Sequence, residues 1–294
     1  MSNVGGQAVI EGVMMRNKGK VATAVRLPNG KIKIKKDRVR KRHAVWTWPF
    51  FRGVINLWDM LFIGTKSLLW SADQQLDEHE KITKKDIFFT LLLTFSFAVL
   101  FFIALPYVLT LFSGVKEEIS PVLFNLIDGI IRGVFVLGYI YIISHFKDIK
   151  RVFRYHGAEH KTVYCYEAEK KLNVKNVKKF STKHPRCGTS FIILVLIISI
   201  FIFSFLPLLA KLIYQGFLML GFWKQKLILF PLRILSIPVI AGISYEGLKL
   251  SGKYPDNIIV KWIAKPGLLL QKITTKEPDK KMIETAIKAL KAVL

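Results

Sequence analysis

The sequence predicts an α-helical integral membrane protein. It has four transmembrane helices, both termini in the cytosol, and a small mixed cytosolic domain that includes a β-hairpin. Three observations predict this. First, 52% of the 294 side chains are hydrophobic, yet the formal charge is +25 and the mean hydropathy is +0.35. Strong charge and strong hydrophobicity coexist most simply when they are divided between water and lipid. Second, four apolar stretches cover residues 87–112, 122–144, 189–214 and 226–248. Each exceeds the roughly 20 residues a helix needs to cross a hydrocarbon core about 30 Å thick. Third, the basic excess sits in three polar segments. Residues 1–86 carry 17 Lys and Arg against 8 Asp and Glu, residues 145–188 carry 12 against 4, and residues 249–294 carry 10 against 4. The short segments 113–121 and 215–225 are close to neutral. Lys/Arg excess marks the cytoplasmic side, so the three large polar segments face the cytosol and the two short hairpins lie outside.

The same composition excludes other classes. Two cysteines cannot staple a secreted scaffold of this length. The 22 Phe and the aliphatic runs exclude a disordered basic tail, and a soluble nucleic-acid binder is rarely this apolar. The first 20 residues lack the apolar core of a cleavable signal peptide.

Taken in order, residues 1–86 form a cytosolic N-terminal region. Residues 21–27 and 31–35 are β-prone runs around Pro28-Asn29-Gly30, a hairpin turn signal. Glycines at 5, 6, 12 and 19 point to tight backbone geometry or, equally, to a flexible linker. Residues 46–70 hold Trp46, Trp48, Trp58 and Trp70 with Arg52, Asp59 and Lys66 interspersed. This stretch reads as an interfacial or re-entrant helix anchored by amphipathic rings, or as a soluble helix packed on the cytosolic domain. Residues 87–144 and 189–248 are the two transmembrane hairpins, flanking a cytosolic loop at 145–188. In the cytosolic tail, 249–294, Ile283, Ile287, Leu290 and Leu294 share one helix face, and Asp279 after Pro278 is placed to cap its start. No internal repeat, phosphate-binding loop or dinucleotide-binding glycine pattern is present.

The loop at 145–188 carries the chemistry, with four of the six His and both Cys. His156 and His160 are four apart, so their rings share a helix face and can converge on one ion. Glu159 flanks that face, about 60° from His156, where it can serve as general base on an activated water or orient a ligand. Glu167 follows on the same face two turns after His160. His184 and Cys187 are three apart around Pro185, and Cys187 precedes a helix whose dipole favours thiolate. His156, His160, His184 and Cys187 therefore form a candidate ligand set for a divalent metal, with zinc the best match to borderline-soft N and S donors. The competing reading is a polar network of His and Glu packing a small fold. The letters His-x-x-Glu-His also match an inverted zinc-peptidase motif, but such enzymes need a larger domain than this loop. Cys165 lies about 180° round the helix from His156 and reads as a packed free cysteine.

Charges inside the apolar stretches form a second constellation. Asp128 and Arg132 are four apart on the second span, and Arg233 lies at similar depth on the fourth. They read as a structural lock, a mutually neutralised Asp128–Arg132 pair with or without Arg233 sharing it, or as a path for a polar substrate or proton. Glu246, near the cytosolic end of the fourth span, is a candidate extra ligand or catalytic carboxylate.

The motifs GGQAVIEGVMMR (5–16), RGVINLWDML (52–61), YHGAEHKTVYCYE (155–167), HPRCGTSF (184–191), AGISYEGLKL (241–250) and PGLLLQKITTKEPDKKMIETAIKALKAVL (266–294) resemble the bacterial YqhQ family of uncharacterised multi-pass membrane proteins. The resemblance implies a bacterial plasma (inner) membrane location and a metal-dependent enzyme, and carries a metal role onto His156, Glu159, His160, His184 and Cys187. It brings no substrate.

Two functional classes follow. One is a metal-dependent hydrolase at the cytosolic lipid–water boundary. The other is a non-enzymatic accessory factor whose basic cytosolic face binds anionic lipid, the ribosome or translocon components. A transporter built as an oligomer ranks third, since no broken-helix pair recurs between two halves.

Overall fold

The computed structural model describes residues 4–39, 48–49, 51–76, 83–117, 119–254 and 257–294. Four strands come first: β1 (Val4–Val9), β2 (Gly12–Asn17), β3 (Lys20–Arg26) and β4 (Ile32–Arg38). They form an antiparallel meander in the order β1-β2-β3-β4. The first two connections are two-residue turns, Ile10-Glu11 and Lys18-Gly19. Tight hairpins of this kind need positive φ, and Glu11 (φ 51) and Lys18 (φ 55) supply it without glycine. At the third turn Gly30 does so, with φ 81. The hairpin read from residues 21–35 corresponds to β3 and β4. The sequence did not reveal β1 and β2 as strands. In β2, Gly12, Val13, Met14 and Met15 are all buried, so the alternation that betrays a half-exposed strand is missing.

Both faces of the sheet are covered. Val13, Met15, Ala22 and Ala24 pack on α5 (Lys147–Glu167) and α10 (Lys280–Lys291), through Tyr155, Ala158, Met282, Ile283 and Leu290. Asp279 caps α10 by accepting from Met282 N at 2.9 Å, so the amphipathic tail helix lies on the sheet. The opposite face, Val9, Met14, Val21 and Val25, packs on α1 (Phe51–Asp73) through Met60, Ile63 and Trp70.

In α1 the usual polarity is inverted. Its small and polar side buries Gly53, Asp59, Gly64, Ser67 and Ser71. Ser67 Oγ accepts from Thr23 Oγ1 at 3.1 Å, and Ser71 Oγ accepts from Ile10 N at 3.1 Å. Its apolar side leaves Trp58, Leu61 and Phe62 two-thirds exposed. The helix thus packs on the sheet and presents rings outward. Trp46 lies outside the described residues.

Four helices are long and apolar enough to cross a membrane, which makes this a membrane protein with four spanning helices. The first runs from Lys84 to Leu111, as α2 (Lys84–Val99), a wide turn at Leu100–Ala104 and α3 (Leu105–Leu111). The others are α4 (Pro121–Ile143), α7 (Gly188–Ile213) and α8 (Phe222–Lys253). Apolar surface on α2, such as Leu93 and Phe95, is left outward for lipid, while Phe101 and Phe102 pack on Phe135 and Tyr139 of α4. Gly129 lets α4 approach α7, since a Cβ there would stand 2.3 Å from Ile200 Cδ1. A one-turn helix α6 (Val174–Val177) follows α5. A further helix, α9 (Ile258–Thr274), packs on α7 and α8; no sequence signal had marked it within the tail.

The Asp128–Arg132 pair read from the spacing forms, while Arg233 hydrogen-bonds elsewhere. Arg132 Nη2 donates to Asp128 Oδ2 at 2.8 Å. Arg233 instead donates to Glu117 Oε1 at 2.7 Å and Asn125 Oδ1 at 3.2 Å, and Lys226 Nζ donates to Glu117 Oε2 at 2.7 Å. Glu117, 1% exposed, belongs to the short hairpin between α3 and α4 and folds back into the bundle. Removing a charge from water is tolerable only when it is paired, and this carboxylate neutralises two cations from α8.

Candidate metal centre

From Tyr155 to Cys165 helix α5 is buried on nearly all sides, with Tyr155, Glu159, His160 and Cys165 among the buried residues. The loop after α6 returns over that segment and ends at Cys187, the N-cap of α7. Three donor atoms, from His156, His160 and Cys187, lie within 4.8 Å of one another. Cys187 Sγ stands 3.3 Å from His156 Nε2, and the two rings are 4.4 Å apart between centroids. Ligands 2.0–2.3 Å from a tetrahedral ion stand roughly 3.3–3.6 Å apart, so small side-chain shifts would let these atoms share one.

The hydrogen bonds made by these donors' other atoms favour the same reading. A carbonyl can only accept, so His156 Nδ1 donates to Thr274 O at 2.9 Å and His160 Nδ1 donates to Thr182 O at 2.5 Å. Fixing the proton on Nδ1 leaves Nε2 as the coordinating atom of a neutral imidazole, the arrangement metal-binding histidines use. Burial holds the His160 pKa below its ordinary value, which keeps that lone pair available. Cys187 Sγ also accepts from Thr189 N at 3.5 Å.

Glu159 is 6% exposed, with Oε2 3.5 Å from His160 Nε2. Burial pushes its pKa up, opposed by His156, His184 and Arg186. It also touches the sheet: a Cβ on Gly6 of β1 would fall 2.8 Å from Glu159 Cγ.

His184, expected as a fourth donor, is engaged elsewhere. Its Nδ1 accepts from Arg186 N at 3.2 Å, so its Nε2 carries the proton donated to Glu167 Oε2 at 3.2 Å. Glu167 in turn forms an ion pair with Arg186. His184 and Glu167 thus brace the loop beside the cluster. Glu246 is also spoken for, since both its oxygens accept from Arg52 of α1, at 2.7 and 2.5 Å. Cys165 is buried and apart, its thiol 3.8 Å from Lys170 O and Lys171 O. Asp128, Arg132 and Arg233 belong to the bundle network described above.

Some contributors escaped the sequence reading. Gln271 of α9 is fully buried and clamps His184 from both sides, accepting from its N at 2.8 Å and donating to its O at 2.9 Å. A lone amide inside Leu268-Leu269-Leu270-Gln271 was its signal. Main-chain carbonyls at Thr182 and Thr274 carry no sequence signal at all.

A family model described as a protein of unknown function (DUF1385) matches residues 48–294. A Bacillus subtilis (strain 168) protein described as uncharacterized protein YqhQ is 35% identical over 306 residues, covering 99% of this chain and 92% of its own length. No solved structure matches.

Proposed function

The chain belongs to the DUF1385 family, the family of YqhQ, and from its geometry we propose a membrane-bound, metal-dependent hydrolase acting at the cytosolic end of the bundle. One observation carries this reading. Two imidazoles, each committed through Nδ1 to a main-chain carbonyl, turn Nε2 toward a single thiol, with a buried carboxylate alongside.

His156, His160 and Cys187 would hold the ion, with zinc matching their softness. Three protein donors are the number that catalytic rather than structural sites use. When bound, such an ion supplies Lewis acidity and acidifies water. Glu159 then accepts the proton of the attacking water and returns it to the leaving group. Arg186, held by Glu167, adds positive charge beside this carboxylate. The Lys/Arg excess of the segments around the site supports a cytosolic position for this end, with both termini on that side of a bacterial plasma membrane.

The test is metal content. Protein purified in detergent without chelators should carry about one zinc per chain, a His156→Ala, His160→Ala double variant none, and Glu159→Gln full metal without turnover. Wild-type protein that takes up no zinc at micromolar concentration ends this reading.

A second reading rests on the solvent sides of β4 and α10, where Lys33, Lys36, Arg38, Lys280, Lys281, Lys288 and Lys291 are exposed. As an accessory factor the protein would use this face on anionic lipid, ribosomal RNA or translocon components.

A further inference from the structure

We propose that the edge of β1 at Gly6 and Ala8 is a substrate cradle, on which an extended polypeptide segment adds as a fifth strand and is laid beside Glu159. The proposal rests on the hydrolase reading and names its substrate class.

The register fixes which groups are free. Val9 and Gly12 close the two-residue turn, and a pair in that position exchanges both hydrogen bonds. By alternation Gly5, Gln7 and Val9 bond to β2, while the N–H and C=O of Gly6 and Ala8 point away from the sheet. Ile10 has the same parity, and its N–H does leave the sheet, donating to Ser71 Oγ. Among the described residues, no hydrogen bond beyond the sheet reaches the main chain of Gly6 or Ala8.

The two edges of this sheet are treated differently. An unpaired edge invites strand addition, and proteins usually defend it with charge. At the other edge, β4 reads IKIKKDR and is so defended. In contrast, β1 reads VGGQAV, with no charge and three small residues. Gly5 is exposed. Gly6 lies against Glu159 Cγ, so an added strand, about 4.8 Å from β1, would run past the Glu159 side chain. Recognition through main-chain groups selects an extended chain over a folded one and is indifferent to most side chains.

The reaction balances without a further reactant. One C–O bond forms from water and the amide C–N bond breaks; Glu159 takes the water proton and delivers it to the departing amine.

The test uses the zinc-loaded full chain in detergent, with fluorescein-labelled β-casein as an unfolded polypeptide probe. Ala8→Pro removes one outward N–H and leaves the β1–β2 ladder intact, since an edge strand accepts proline on its open side. Casein binding should weaken at least tenfold and cleavage fall with it, while zinc content and unfolding midpoint stay at wild-type values. The His156→Ala, His160→Ala variant should lose zinc and cleavage but still bind casein, which separates failure of the hydrolase reading from failure of the cradle. Should Ala8→Pro not fold, hydrogen exchange on the wild type decides: casein should slow the Gly6 and Ala8 amides. Wild-type protein that does not bind casein, equal binding by a folded Ala8→Pro variant, or unchanged exchange at Gly6 and Ala8 overturns the proposal.

Discussion

The imidazole of His156, on α5, donates its Nδ1 proton to the carbonyl of Thr274 at the end of α9, across 2.9 Å and 118 residues of sequence. His160 makes the equivalent bond to Thr182 in the loop that follows α6. Two unrelated segments therefore aim the two candidate ligands, and Gly157 between them sets how closely those segments approach. A Cβ at Gly157 would stand 2.1 Å from Lys276 O and 3.3 Å from Thr182 Cγ2. Gly157→Ala should destabilise the protein by about 1–3 kcal/mol, as overpacking does, and loosen zinc. Chemical unfolding in micelles and metal content would show it.

His184 and Glu167 divide from the three donors in their effect on metal. Outer-shell partners typically change metal affinity 10–100-fold. His184→Ala should therefore weaken zinc within that range, whereas His160→Ala or Cys187→Ser should abolish stoichiometric binding. Titration against a competing chelator distinguishes the two classes. Equal losses for His184 and His160 would restore His184 to the ligand set.

Arg52 and Glu246 join α1 to α8, and each side chain is only about a quarter exposed, 25% and 26%. A double-mutant cycle on Arg52→Ala and Glu246→Ala should give a coupling of roughly 1 kcal/mol, the upper end for solvent-accessible pairs. Glu246→Gln should retain full zinc. Loss of metal in that variant would assign Glu246 a place in the site.

Glu117 serves two cations at once. Replacing it with Gln leaves Lys226 and Arg233 without their shared carboxylate, and breaking a buried pair costs about 3–5 kcal/mol. Unfolding of Glu117→Gln in bicelles should show a loss of that order, with zinc content unchanged because the network lies at the far end of the bundle.

The basic face of β4 and α10 gives a prediction of another kind. If it serves as an accessory surface, co-sedimentation of the micellar protein with ribosomes should fall steeply between about 50 and 200 mM salt. Charge reversal of Lys280, Lys281 and Lys288 together should remove it. Failure to co-sediment at low salt eliminates the ribosome version.

Much of this arrangement was legible because its physics is local. Four apolar runs gave four spans, and Pro28-Asn29-Gly30 gave β3 and β4. The i, i+4 spacing gave His156 and His160 a shared face. What remained hidden depends on long-range geometry. Nothing in Gly5-Gly6-Gln7-Ala8-Val9 announces a strand, since only Val9 is fully buried and the other four are small or polar. His184 carries the right atoms at a plausible spacing from Cys187, and only the fold reveals that Arg186 N and Glu167 occupy both nitrogens. Glu117 lies in a nine-residue hairpin that looks solvent-exposed by composition, yet the cations it serves sit on α8, more than 100 positions away.

The order of the elements has a consequence for biogenesis. The meander is translated first, but Val13, Met15, Ala22 and Ala24 are roofed by α5, which follows the second span, and by α10, which follows the fourth. A nascent chain must hold that greasy face open until both membrane hairpins have been threaded and returned to the side they left. A missed or inverted span would strand Met282 and Ile283 across the bilayer from their partners. The sheet can therefore close only in a chain whose spans have all been inserted, and the His–Cys cluster, finished by the carbonyl of Thr274, is completed with it.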